Sequence, residues 1–214
     1  MKSFKPANLK TKLCSTRLNG IDMKIRNFST QVGSPSSQVE FNPWWFVGFT
    51  DGEASFIISV TSSKKFKTGF EVRAQFSIDI HKKDLPLLSE IKDFLGVGVI
   101  TINNKRNDAL FRVSKIQDLL TVIIPFFQRY PLISQKQADF KIWVEIIKLM
   151  EKRKHLSSEG IKDILALKAS LNLGLPPQLQ SAFPNISPIP RPIIKEPIPD
   201  PNWLSGFLCA EGCH

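Results

Sequence analysis

The chain has 214 residues, 42% of them apolar, and 29 Lys or Arg against 19 Asp or Glu leave a formal charge of +10. That length allows one large domain or two small ones with a real core; the charge points to an anionic partner, nucleic acid ahead of membrane surface, or simply to a soluble basic protein. No apolar run approaches the roughly 20 residues of a spanning helix, and Cys14, Cys209 and Cys213 lack further Cys or His at ligand spacing, which argues for a reduced compartment and against structural zinc.

Residues 1–39 stand apart, with seven Lys or Arg, one acid (Asp22), many Ser, Thr and Asn, and no sustained apolar period. They fit a disordered basic arm, a mitochondrial leader or the translated remnant of an upstream frame, and composition does not choose among these. At Asn42 the pattern becomes that of a folded unit. Asn42 and Pro43 suit an N-cap and a first helical position, and Trp44 to Phe49 predicts a short, heavily buried helix. After Glu53 the period changes to two, with Phe56, Ile58 and Val60 alternating against Ser55, Ile57, Ser59 and Thr61.

K-K-F-K-T-G (64–69) predicts a hairpin turn. The next strand places Phe70, Val72, Ala74, Phe76, Ile78 and Ile80 on one face and Glu71, Arg73, Gln75, Ser77 and Asp79 on the other. A helix over 84–95 closes at Gly96, and 97–103 with 109–114 predict a second hairpin around N-K-R-N-D. Helices are expected over 115–128, 134–152 and 158–171, making an α+β unit with one antiparallel sheet covered on one face. Nine of the fifteen prolines fall between 176 and 201, which predicts an extended linker free of helix and sheet.

That linker leads to a repeat. W-F-V-G-F-T-D-G-E (45–53) returns as W-L-S-G-F-L-C-A-E (203–211). Gly48 costs its helix about 1 kcal/mol relative to alanine, which makes sense where another helix backbone must approach closely. Gly48 with Phe49 and Gly206 with Phe207 therefore form the expected interface between two helices. If these pair nearly in parallel, Glu53 and Glu211 emerge side by side. Two adjacent carboxylates need positive charge between them, and oxygen ligation suits Mg²⁺; alternatively they are ordinary helix-terminal acids, which oppose the macrodipole.

At these residues the chain resembles a known family. F-V-G-F-T-D-G-E-A looks like a LAGLIDADG motif and L-S-G-F-L-C-A-E-G like its second copy, and I-D-I-H-K-K-D, L-G-V-G-V-I, Y-P-L-I-S-Q-K and E-K-R-K-H-L-S-S-E-G-I-K extend the similarity over residues 40–214. The resemblance is to fungal mitochondrial intron-encoded, single-chain LAGLIDADG homing endonucleases. It implies an αββαββα fold, an antiparallel β-saddle with helices on one face, here as one complete half (40–175), a proline-rich linker (176–200) and the second motif helix (201–214). It implies phosphodiester hydrolysis with Mg²⁺ held by Glu53 and Glu211 beside the Gly52 and Ala210 carbonyls, and Lys136 as the basic residue near the scissile phosphate. Two departures are Ala54, where glycine is usual, and Cys209, which stands where the first motif has Asp51 and is expected to affect helix-end packing more than chemistry.

The resemblance also implies a double-stranded DNA target, a mitochondrial location and a monomer for the full-length form. The readers of a major groove would be Ser55, Ile57, Ser59, Thr61, Glu71, Arg73, Gln75, Ser77 and Asp79, with Leu110, Arg112 and Ser114 from the second hairpin. Lys64, Lys65, Lys67, Lys105 and Arg106 would meet phosphates. Two other readings stand beside endonuclease: an RNA maturase acting on its host intron, and a non-catalytic DNA-binding remnant. Because the second copy stops at His214, Trp203, Leu204, Phe207 and Leu208 are expected to lack cover and to make the product marginal and aggregation-prone.

Overall fold

The computed structural model describes residues 41–172 and 174–212; the basic arm 1–39, Cys14, Cys213 and His214 lie outside the described residues. Helix α1 (Pro43–Glu53) starts as its sequence dictates: the Asn42 side-chain oxygen accepts the N–H groups of Trp44 (2.9 Å) and Trp45 (3.2 Å), and Pro43 occupies the first turn, where no N–H is needed. It ends where Ala54 turns extended (φ −79°, ψ 159°) and strand β1 (Ala54–Ser62) begins without a loop. Gly69, at φ 77°, closes the turn into β2 (Phe70–His81), in a register that runs from Ser62↔Phe70 to Ala54↔Ile78. Helix α2 (Leu85–Leu95) stops at left-handed Gly96 (φ 69°), and β3 (Val99–Asn103) pairs with β4 (Asp108–Val113).

The four strands form one antiparallel sheet in the order β1-β2-β4-β3. Alternation decides which face is inside: Phe56, Ile58, Ala74, Phe76, Ile78 and Phe111 are all buried on the helix side. Rings of Phe46, Phe56, Phe76 and Phe127 meet at centroid distances of 5.4–6.4 Å, locking α1 and the helical layer onto the sheet. The helical layer after β4 is wound unevenly. Helix α3 (Ile116–Asp118) passes through a π-wound turn, Leu119–Ile123, into α4 (Ile124–Arg129). Pro125 has no N–H and its ring would strike the carbonyl one turn back, so the wider turn accommodates it.

Helices α5 (Lys136–Glu151) and α6 (Ser158–Ala169) complete the layer. The Trp143 indole donates to the Ile57 carbonyl (3.2 Å) and the Asn172 amide to the Phe56 carbonyl (2.9 Å), tying the layer to the main chain of β1. Trp143→Phe keeps the buried ring but orphans the Ile57 carbonyl, and should lower the unfolding free energy in urea by about 1–2 kcal/mol. An unchanged denaturation curve would mean the indole bond contributes nothing.

The proline-rich segment departs from expectation in one place. Pro177–Ala182 forms a short helix, α7. Proline excludes a helix interior but favours a helix start, and Pro177 stands at the first position, where its fixed φ is already helical. After a turn at 184–185, residues 186–200 form neither helix nor strand and lead into α8 (Pro201–Glu211).

Candidate active site and nucleic-acid interface

Helices α1 and α8 lie side by side and run in the same direction: Gly48 faces Trp203 and Phe207, Gly52 faces Ala210, and Gly206 faces Trp45 and Phe49. A Cβ at Gly48 would strike the Trp203 carbonyl oxygen and one at Gly206 the Trp45 carbonyl oxygen, with the amide nitrogens of Phe207 and Phe49 each 2.9 Å away. The contacts are reciprocal, so a pseudo-twofold relates the helices. The same relation holds for the ring stacks, Trp45 on Phe49 and Trp203 on Phe207, both at 5.1 Å. It extends to the caps, where Asp200 accepts the Asn202 N–H at 2.8 Å and Pro201 repeats Pro43.

Trp203 is not left uncovered, contrary to expectation. It is 7% exposed, because α1 covers its ring and the Asp51 carboxylate accepts its indole N–H at 2.9 Å. Phe207 is half-buried, and it is Leu204 (44%) and Leu208 (61%) that face outward.

Asp51 is the junction of the site. Besides the Trp203 indole, it accepts the Ile133 N–H (3.1 Å) and the Ser134 hydroxyl (2.5 Å), so one buried carboxylate joins both helices to the turn that opens α5. Ser134 in turn accepts the Lys136 N–H at 3.1 Å. The Lys136 ammonium reaches back to the end of α1 and donates to the Thr50 and Gly52 carbonyls, both at 2.9 Å. A cation there satisfies helix-terminal carbonyls and complements the negative end of the dipole. Burial pushes the Lys136 pKa below its ordinary value, while the carboxylates of Asp51, Glu53, Asp139 and Glu211 pull it the other way. On the second helix Cys209, a half-buried free thiol, stands where α1 has Asp51, so the junction is one-sided.

Glu53 and Glu211 are the last residues of α1 and α8, past the point where Gly52 meets Ala210, and both lie within electrostatic reach of Lys136. Among the described residues no group of three or more His, Cys, Asp or Glu gathers for a metal. A cation here would take two carboxylates, main-chain carbonyls of Gly52 and Ala210, and water. That all-oxygen set at two negative helix ends fits a hard divalent ion. The Gly52 carbonyl already accepts the Lys136 ammonium, which leaves it one lone pair.

The sheet face away from the helices carries rows of mostly polar side chains set by register: Ser55–Ser77–Arg112–Val99, Ile57–Gln75, Ser59–Arg73, Thr61–Glu71 and Asp79–Leu110–Thr101, with Ile57, Val99 and Leu110 the apolar members. Ser77 departs from its expected role as a reader: flanked by Ser55 and Arg112, it is 5% exposed. Ser114 is exposed but lies one residue beyond β4. Arg73 forks onto Glu71 with two 3.0 Å bonds, and Arg106 pairs with Asp108 at 2.7 Å. Exposed pairs of this kind are worth about 0–1 kcal/mol, so they are readily exchanged for another anion. Desolvation, reinforced by Asp108, raises the pKa of Asp79, and Arg106 opposes this. Lys64, Lys65, Lys67 and Lys105 stand exposed at the two turns.

Sequence reasoning passed over His81, Val99, Thr101, Asn103 and Asp108, which share this face. Alternation in V-I-T-I-N separates Val99, Thr101 and Asn103 from two isoleucines, but both sets include an apolar residue, and only pairing with β4 chooses between the faces.

A LAGLIDADG endonuclease family model matches residues 46–147. The chain is 37% identical over 195 residues to "Probable intron-encoded endonuclease 3" of Neurospora crassa, an alignment covering 90% of this chain and 36% of that protein. Among solved structures it is similar to meganuclease I-SmaMI bound to uncleaveable DNA, at 42% identity and TM-score 0.76, covering 79% of this chain and 58% of that one. I-SmaMI bound to an uncleaved DNA target in the presence of calcium ions is similar at 42% identity and TM-score 0.77, with 80% and 58% covered. The chain thus spans 36% of the curated relative and 58% of the solved ones. With the glycine-faced helix pair, the single antiparallel sheet and these likenesses together, the chain belongs to the LAGLIDADG endonuclease family.

Proposed function

We propose that this chain supplies the first half, and the second motif helix, of a site-specific endonuclease that hydrolyses both strands of a double-stranded DNA target with Mg²⁺. Residues 40–175 are the DNA-binding half, 176–200 the linker and 201–214 the second motif helix. The observation that carries the reading is the reciprocal glycine contact, which delivers Glu53 and Glu211 to one end of a helix pair beside Lys136. In the reaction a water oxygen bonds to phosphorus, a P–O bond to deoxyribose breaks, and its oxygen leaves as a hydroxyl. A bound divalent ion supplies charge for the attacking and leaving oxygens. Glu53 and Glu211 hold that ion with the Gly52 and Ala210 carbonyls. Lys136, fixed on the α1 carbonyls, stands ready to offset negative charge on the phosphorane.

The polar sheet face enters the major groove, where each base pair is distinguishable. Arg73 and Arg112 suit guanine and Gln75 adenine, while Lys64, Lys65, Lys67, Lys105 and Arg106 bind phosphates. Likeness to intron-encoded relatives of fungi supports an intron origin and a mitochondrial setting.

The test is selection on supercoiled plasmids carrying randomised duplex sites, with the purified chain in Mg²⁺ or in chelator. Cleavage or nicking at one enriched sequence, lost in chelator, is the expected result. Selective binding without any strand break in Mg²⁺ would replace the endonuclease with a DNA-binding module, and preference for structured RNA would favour a maturase. Replacing Lys64, Lys65 and Lys67 together with Gln should weaken binding uniformly across sequences and lower the salt slope by about 2–3. A change in sequence preference instead would show that these lysines read bases.

A further inference from the structure

The proline-rich segment 186–200 is pinned at three points to the helical layer. The Ser170 hydroxyl donates to the Ile189 carbonyl at 2.7 Å, the Arg191 guanidinium meets Asp139 at 2.7 Å, and the Gln135 amide donates to the Ile194 carbonyl at 3.2 Å. Two of these anchors, Gln135 and Asp139, bracket Lys136. A tether that served only to span distance would need no such anchors, and proline-rich chain is stiff enough to hold a position once fixed.

The same turn is held from its other side by the motif helix. Ile133 and Ser134 donate to Asp51, and the Lys136 ammonium caps Thr50 and Gly52. Beneath the strap, a cavity of about 300 Å³ is lined by Leu132, Ile133, Gln137, Lys141, Glu196 and Pro199, among others. The Gln137 side-chain oxygen is buried there without a hydrogen-bond partner among the described residues. The strap residues Glu196, Pro197 and Pro199 thus form one wall of this cavity and the turn with α5 the other.

We propose that the proline strap is a positioning device, in which Gln135 and Arg191 clamp the turn 133–135 and the first winding of α5 (136–139) and thereby hold the Lys136 ammonium on the C-terminal carbonyls of α1. Arg191 and Gln135 touch no reacting atom and act through Lys136. The consequence for cleavage rests on the endonuclease reading above, but the placement of Lys136 does not.

The experiment uses the whole chain and follows acetylation of Lys136 by a water-soluble N-hydroxysuccinimide ester, resolved by peptide mass spectrometry. Arg191→Ala with Gln135→Ala should raise Lys136 labelling at least about fivefold relative to the exposed lysines of the 64–69 turn, as local release without global unfolding requires. Arg191→Lys, which keeps a cation opposite Asp139, should return labelling to within about twofold of the parent. Amide exchange at Ile78 and Phe111 monitors the core. If the double variant unfolds, Gln135→Ala alone removes one bond to a carbonyl and gives the same reading. Unchanged Lys136 labelling in a folded variant overturns the clamp, as does a rise that Arg191→Lys fails to reverse. Where the parent cleaves DNA, kcat should fall about tenfold in the double variant with KM for DNA unchanged. Raised labelling with unaltered kcat would overturn the positioning role while leaving the endonuclease intact, whereas a parent that never cleaves overturns the endonuclease and not the clamp.

Discussion

Glu53→Gln is expected to abolish strand cleavage, by at least about a thousandfold in single-turnover rate, while binding of the selected duplex stays within about threefold. The two side chains are nearly isosteric, so α1, its contact with α8 and the Lys136 cap on Thr50 and Gly52 should persist. What changes is charge. Glu53 and Glu211 stand at the negative ends of two helices, and a divalent ion is the natural complement of two carboxylates in that place. With one carboxylate neutralised, that complement weakens where nothing else supplies a second anionic ligand, since no third acid clusters there among the described residues. The proposed readers lie on the face of β1, β2 and β4 away from the helices, so binding has no reason to follow. Cleavage kinetics beside gel-shift titration decide the matter. Activity within tenfold of the parent would remove Glu53 from the proposed chemistry, and equal loss of binding would make the effect structural.

Gly48→Ala should separate α8 from α1. The added carbon would meet the Trp203 carbonyl oxygen and stand 2.8 Å from the Trp203 carbonyl carbon and 2.9 Å from the Phe207 nitrogen. All three are backbone atoms, so no rotamer change relieves the clash, and the helices must move apart or the pair must open. Overpacking of this kind costs about 1–3 kcal/mol or more, which outweighs the roughly 1 kcal/mol that alanine returns in helix propensity. Cys209 offers a built-in reporter, because it lies half-buried on the docked helix. Its alkylation rate should rise at least about tenfold, with a lower first melting transition and an intact sheet. Gly206→Ala should do the same through the mirror contact with Trp45, and the double change should add little, since one interface is lost only once. Unaltered alkylation and melting would mean the helices tolerate a wider spacing than their contacts indicate.

Much of this architecture was legible because it is local. The Asn42–Pro43 helix start, the alternation through Phe76, Ile78 and Ile80, the stop at Gly96 and the recurrence of tryptophan, glycine and glutamate at matched spacing each rest on neighbours a few residues apart. Glycine was informative for the same reason: its cost inside a helix is intrinsic, so its return in the second copy already implied a close backbone approach.

The misses share a different cause. Asp51 read as a helix-end residue, yet its partners are Ile133, Ser134 and Trp203, far along the chain. Ser77 sits on the outward phase of β2 but is closed over by its cross-strand neighbours, which follow from the pairing of three strands. The uncovered face of β3 became definite only with its register on β4.

By itself, then, the order of residues determined most of the elements, the inward faces of β1 and β2 and the pairing of two glycine-faced helices, because propensity, capping and hydrophobic period act over a turn or two. Tertiary structure alone decided that one buried carboxylate ties both helices to the turn carrying Lys136, and that a proline segment is pinned on that turn's other side. Those contacts join groups that no local rule places together. They form because a buried charge or an orphaned carbonyl must find its partner wherever the packed chain brings one.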